Sequence, residues 1–201
     1  MAGGPLDATA YPLLRHLTLP VVAVTTAAGG RSNGLIANSA QRASLVPSIP
    51  RLSIYISKPN FTHDLVMASG VLGIHLLRRD QWEVIRRLGF SSGRDGEKLT
   101  DLDLVTGPAT GCPLLADVLA AFECRVINAM DAGAATFFLA DVESYREGEA
   151  GEVMTSGWFR EHAPDDIRAA YEARLAAAQQ YLEPLAGEVV PGEWRGPTGG
   201  V

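Results

Sequence analysis

Cysteine is scarce in this chain: Cys112 and Cys124 are the only two among 201 residues. They show neither CxxC spacing nor a cluster with histidine, so neither a zinc centre nor a disulfide framework is supported. Two reduced cysteines are expected, Cys124 within a strand. Positive charge is also short. The 17 Lys+Arg stand against 23 Asp+Glu, a formal net charge of −6, whereas a general binder of phosphate backbones would be basic. No nucleic acid partner is expected, although local basic pockets remain open. No apolar run reaches the roughly 18 residues of a membrane helix, so no membrane partner is expected either. The opening "MAGGPLDATAYPLL" has no basic start followed by an apolar stretch. No signal peptide is expected, and the expected location is cytoplasmic. No GxGxxG follows a strand, no GxxxxGK[ST] occurs, and no internal repeat is present. The two standard helix-dipole nucleotide loops are therefore missing.

What is present fits a globular protein. Hydrophobic residues make up 47% and charged residues 20%, and the length suits one domain with a full core. "PVVAVTTAAGG" (20–30) is a β-branched run closing on Gly-Gly, and "GLIANSAQRASL" (34–45) follows as the second strand of a hairpin. "RLSIYIS" (51–57) alternates with a period of two. Thr62 is placed to cap a short helix "HDLVMAS" that ends at Gly70, and "VLGIHLL" is again a strand. "RDQWEVIRRLG" carries apolar residues at helical spacing up to Gly89. "AAFECRVINAMDAG" and "ATFFLADVESYREG" form a second hairpin around Asp131–Gly133. From Pro164 a longer helix carries Ile167, Tyr171, Leu175, Ala178 and Leu182 on one face, with Asp165 and Asp166 in its first turn. The expected domain covers 1–183. Residues 184–201 form a Gly/Pro-rich tail in which Trp194 is a docking candidate. Strands outnumber helices and do not alternate with them. The pattern predicts a mainly β protein with peripheral helices, closed or split as an antiparallel barrel.

Three polar clusters carry the candidate chemistry: "NSAQRAS" (38–44), "SKPNFTH" (57–63) and "SSGRDGEK" (91–98). Each joins small hydroxyl or amide residues to one or two cations, the donor set that an anionic phosphate needs. With a strand edge and an apolar floor they suit a phosphorylated heterocyclic cofactor. Solvated loops are the plain alternative. His63 can equally be a helix-start residue bonded to backbone, and His75, alternating inside an apolar strand, reads as a satisfied core histidine.

The order "PVVAVTT…GLIANSAQRASLVP…RLSIYISKPNFTHDLVMASGVLGIHLL" resembles the flavin reductase-like family, the FMN-binding split barrels. The matching positions are Asn38, Ser39, Ser44, Leu45, Pro47, Lys58, Asn60, Thr62, His63, Ser69 and Gly70. The later "SGRDGEKL" and "FECRVI…TFFLADV" extend the similarity over roughly residues 15–147. The resemblance implies a homodimer that binds FMN or FAD in a groove near the subunit interface. It implies that Asn38, Ser39, Ala40 and Gln41 run beside the isoalloxazine, with Leu45 in the same motif. Ser44 and Ser57 would lie on the ribityl-phosphate side. Lys58, Asn60, Thr62 and His63 would hold phosphate or ribityl oxygens, and Arg94 would be a second phosphate cation. The activity implied is NAD(P)H-dependent flavin reduction, with a two-component monooxygenase as a partner that would receive the reduced flavin. A flavin held tightly for another acceptor and a non-enzymatic flavin-binding subunit are the alternatives. Two departures stand out. Members often carry an aromatic at the position of Ala40. Many also carry Gly-Asp-His where this chain reads Gly133-Ala134-Ala135, a difference that bears on nicotinamide.

Overall fold

The computed structural model describes residues 14, 16–190, 192 and 196; Trp194 lies outside them. Strand β1 (Val22–Ala28) pairs with β2 (Arg31–Ala37) through a two-residue turn. Gly29 and Gly30 turn it with φ of 56° and 75°, angles that glycine adopts without a side-chain clash. Next come β3 (Gln41–Arg42), β4 (Arg51–Ser57), helix α1 (Phe61–Ser69) and β5 (Val71–Leu76). Helix α2 (Trp82–Gly89) precedes the short strands β6 (Leu104–Thr106) and β7 (Pro113–Leu115). The long hairpin β8 (Ala120–Asp131) and β9 (Ala135–Glu147) follows, then α3 (Ser156–His162) and α4 (Asp165–Leu182).

Seven strands form one antiparallel sheet in the order β2-β1-β5-β8-β9-β4-β3, with β6-β7 a separate pair. Chain geometry forces this sheet to curl. Laid flat, seven strands would set their edges about 29 Å apart at roughly 4.8 Å per spacing. Yet the edges β2 and β3 are joined by Asn38, Ser39 and Ala40 alone, a link that spans at most about 14 Å from Ala37 to Gln41. The result is a split barrel whose seam is residues 38–40. Irregularities in β8–β9 at Glu123/Cys124 and Val126/Asn128 add bend. The strand expected over 34–45 is thus two strands. It starts earlier, at Arg31, and breaks at Ala37, where the chain crosses the seam.

Alternation along β1 builds two cores. Val22 and Val24 point into the barrel with Ile54, Ile56, Leu72, Ile74 and Phe138. Ala23 points outward, to a layer made by Ile85, Leu88, Met154, Phe159 and Ile167. Ile167 anchors α4 to this layer, and burying such a side chain contributes about 1.5–3 kcal/mol. Tyr171, Leu175, Ala178 and Leu182 on the same face are half-buried, as the periodicity predicts. Pro184 does not stop the chain at once, because a 3₁₀ turn continues over Glu183–Leu185.

Several local expectations change. Thr62 does not cap α1: the cap position is Asn60, and Thr62 lies buried in the first turn. The helix expected from Arg79 begins at Trp82, after a turn in which Gln81 Oε1 accepts from the Arg78 N–H. Helix α3 escapes a periodicity search because seven residues with Gly157 and two basic side chains show no apolar stripe. Its cap is Thr155, which accepts from the Trp158 N–H. His75 is the core histidine expected, with Nδ1 3.1 Å from the Ala23 carbonyl and Nε2 accepting from the Leu115 N–H. Burial lowers its pKa to about 4. Cys112 and Cys124 are buried and unbridged, and burial pushes both thiols up, Cys112 to about 12. One feature was not legible beforehand. Glu123 is 1% exposed and accepts from the Thr110 N–H and hydroxyl at 2.8 Å and from the Ala109 N–H, holding the β6–β7 loop. Among the described residues no helix is long and apolar enough to cross a membrane.

Candidate functional site

The seam opens onto a cleft. Two adjoining chambers, of about 320 and 380 Å³, share Asn38, Tyr55, Arg160, Tyr171 and Leu175, and small-molecule sites fall in this size range. One wall is the seam and the ends of β2 and β4: Ile36, Ala37, Asn38, Ser39, Gln41 and Tyr55. The other wall is helical. Tyr171, Arg174, Leu175 and Ala178 recur at i, i+3, i+4 and i+7 along α4 and so line the cleft from one helix face. Phe159 fixes that face by an edge contact with Tyr171 at 5.3 Å between centroids, and Arg86 on α2 pairs with Asp166 at 2.8 Å.

A smaller recess along the seam reaches Ser57 and Asn60. A further pocket holds both predicted phosphate cations, Lys58 and Arg94, with Pro59, Tyr181 and Leu185. Lys58 Nζ bonds Asp131, and this bond holds the Asp131 carboxyl below its ordinary range. Arg94 donates to the Pro59 carbonyl at 2.7 Å and to Asp64 at 2.6 Å. The Gly-rich loop 91–98 is thereby pinned to the start of α1. Arg31 helps by donating to the Gly93 carbonyl and lying 4.2 Å above the Phe61 ring.

The sequence-predicted residues separate into two groups. Asn38, Ser39, Gln41, Ser57, Lys58, Asn60 and Arg94 line the cleft or its extensions. Ser39 also donates to the Tyr55 carbonyl at 2.8 Å, which ties the seam to β4. The other five turn their side chains elsewhere. Ala40 is packed into the barrel core, so its Cβ does not form the floor of the cleft, and only its backbone can face a ligand. Ser44 and Leu45 sit on the outer loop: Ser44 closes a turn onto Val46, and Leu45 is 85% exposed. Thr62 accepts from Asn33 at 2.9 Å inside the fold. His63 is buried with Nε2 2.8 Å from Thr136 Oγ1, so it meets a side chain and not backbone. Burial lowers its pKa, against the opposing pull of Asp64.

Tyr55, Arg160, Tyr171 and Arg174 were not anticipated as lining. For Tyr55 a signal existed: it is a large aromatic on the polar side of an alternating strand, and it is 47% exposed. For α4 the stripe was visible but not what it covers.

The cleft's chemistry fits a flavin. It offers an apolar wall and a seam whose residues 38–40 lie outside the strand pairing, and a further pocket holds two cations, Lys58 and Arg94, each paired with an aspartate.

Comparison with known proteins agrees. The family model described as "Flavin reductase like domain" matches residues 14–165. The chain is 30% identical over 150 residues to the high molecular weight rubredoxin of Moorella thermoacetica, covering 74% of this chain but only 64% of that protein. It is 31% identical over 147 residues to an NADH-dependent FAD reductase of Streptomyces globisporus, covering 72% of this chain and 80% of that one. Among solved structures, a Streptomyces globisporus NADH:FAD oxidoreductase in complex with NAD and FAD fragments superposes with a TM-score of 0.66 at 27% identity, over 81% of this chain and 99% of that chain. Because the family match runs through every strand of the curled sheet, this chain belongs to the flavin reductase-like family.

Proposed function

We propose that this flavin-binding oxidoreductase uses NAD(P)H to reduce FMN or FAD held in the seam cleft. The observation that carries the reading is the cleft itself, ring-sized, with apolar lining from Ile36, Leu175 and Ala178 facing the polar seam, and with Lys58 and Arg94 together in a further pocket. Family membership and the relatives' names, NADH-dependent FAD reductase among them, support it. In this reading the backbone of Asn38–Gln41 and the Tyr55 side chain orient the ring. Ser57 and Asn60 meet the ribityl chain, and Lys58 and Arg94 neutralise the phosphate. When bound, the flavin would supply the redox chemistry, taking hydride at N5 and passing electrons onward. The protein's tasks are to position two rings and to exclude water; no general base is needed.

The same reading makes the domain run through α4, since Ile167 joins that helix to the core. It also makes the protein a homodimer. Leu45, Val46 and Ile49 are exposed together on the loop after the seam, an apolar patch that a partner subunit would cover. Handing reduced flavin to a separate monooxygenase is the shuttled form of this activity. A tightly held flavin serving another acceptor is the second form, favoured by the lie of α4 along the cleft and by Gly133-Ala134-Ala135 in place of Gly-Asp-His. Anaerobic stopped-flow reduction with NADH and NADPH, using FMN and FAD in turn, tests the activity. No flavin bleaching with any of the four pairings would overturn it, and gel filtration of the yellow protein separates the two forms.

A further inference from the structure

We propose that Arg160 and Arg174, on the helical wall of the cleft, form a second anion site that takes the diphosphate of an adenine dinucleotide. The inference rests on the flavin reading above and adds to it the element that the family match does not cover. That match ends at residue 165, where α4 starts, so Arg174 lies beyond the segment that the family model describes.

Charge distribution is the main argument. The chain carries 23 acidic residues against 17 Lys+Arg, and its surface arginines mostly face carboxylates: Arg51 meets Asp141, Arg78 meets Asp117, Arg86 meets Asp166 and Arg125 meets Glu143. Around the two chambers Arg174 departs from this pattern. Their described lining contains Arg160 and Arg174 and no aspartate or glutamate. Among the described residues Arg174 makes no ion pair. Its field is nonetheless felt nearby. Lys98, buried with its ammonium bonded to the Leu88 and Ser91 carbonyls, is lowered to about 8, first by burial and then by the charge of Arg174.

A single flavin phosphate does not account for both cation pairs. Lys58 and Arg94 share one pocket, while Arg160 and Arg174 line another beside Asn38 and Tyr55. A diphosphate on an adenylate suits the second pair, because guanidinium groups grip phosphate oxygens two at a time. Tyr171, which lines both chambers, adds an aromatic ring of the kind that packs against a planar base. The adenylate could belong to the nicotinamide dinucleotide or to FAD.

The test uses the full-length protein and the variants Arg160→Gln, Arg174→Gln and Arg174→Lys. FMN, FAD and ADP-ribose are each titrated, the first two by flavin fluorescence and the last by calorimetry. The expected result is loss of affinity on the order of 10-fold in each Gln variant for ADP-ribose, for FAD or for both, with FMN held within about 2-fold and Arg174→Lys intermediate. A loss for ADP-ribose alone assigns the site to the nicotinamide dinucleotide; a loss for FAD relative to FMN assigns it to the flavin's adenylate. Unchanged binding of both adenylates overturns the proposal. So does an equal loss for FMN, which would make the arginines holders of the flavin's own phosphate. Failure of the unmodified protein to bind FMN would count against the flavin reading, while the ADP-ribose arm still decides this one.

Discussion

Lys58, which lines the pocket that also holds Arg94, pairs with Asp131, the ammonium 2.8 Å from one carboxylate oxygen and 2.9 Å from the other. The pair joins the end of β4 to the turn between β8 and β9. Both side chains are about a third exposed, so water screens the pair and it contributes little to stability. A phosphate with up to two charges can therefore compete for the ammonium. Lys58→Ala should weaken FMN binding roughly 10- to 100-fold, the worth of a charge-assisted bond. Riboflavin, which has no phosphate, should lose much less. Asp131→Asn should leave riboflavin unchanged and tighten FMN a few-fold by releasing Lys58. Equal weakening of FMN and riboflavin by Lys58→Ala would remove Lys58 from the phosphate end.

His75 predicts an acid limb in stability. Its folded pKa, about 4, lies below the ordinary 6.5, so between those values the unfolded chain binds more protons than the folded one. Stability should be level above pH 7, fall as pH drops from 6.5 towards 4, and lose about 3 kcal/mol to this group over that window. His75→Gln, which keeps a donor and an acceptor, should flatten the limb. Denaturant titrations at a series of pH values check it, and an unchanged slope in the variant would contradict the assignment.

Glu123 should be worth more than its one charge suggests. Burial works to raise its pKa, but bonds from Thr110 and Ala109 outweigh burial and leave it below the ordinary 4.5. Its contribution is therefore present above pH 4.5 and lost as pH falls further. Glu123→Ala strands the two backbone N–H groups of the β6–β7 loop and should cost about 2–4 kcal/mol at pH 7. Thermal melting measures this, and a change within about 0.5 kcal/mol would show that water replaces the carboxylate.

The outer loop should respond to charge only through assembly. Leu45 is 85% exposed, so Leu45→Asp costs little within one subunit. In a homodimer that buries this loop, the variant should shift light scattering from about twice 21.4 kDa towards 21.4 kDa. A native protein already at the lower mass would end the dimer reading.

Much of this molecule was legible in its sequence because its elements advertise themselves locally. The β4 alternation, the Gly29-Gly30 turn, the Gly70 stop with φ of 67° and the α4 stripe each depend on residues within a few positions of one another. The split barrel followed from their tally and from family resemblance. What a local pattern cannot state is what lies opposite an apolar or polar face. Thr62 and His63 look like ligand groups in a polar run, yet Asn33 and Thr136 receive them inside the fold. Ala40 stands in a polar cluster and packs in the core, while Tyr55 stands in a core strand and lines the cleft. The cleft itself is set by the three-residue seam that draws the sheet edges together and by Ile167, which joins α4 to the outer core layer beside it. Both bring together groups far apart in sequence, and their pairing depends on strand order and helix docking that no short window of residues contains.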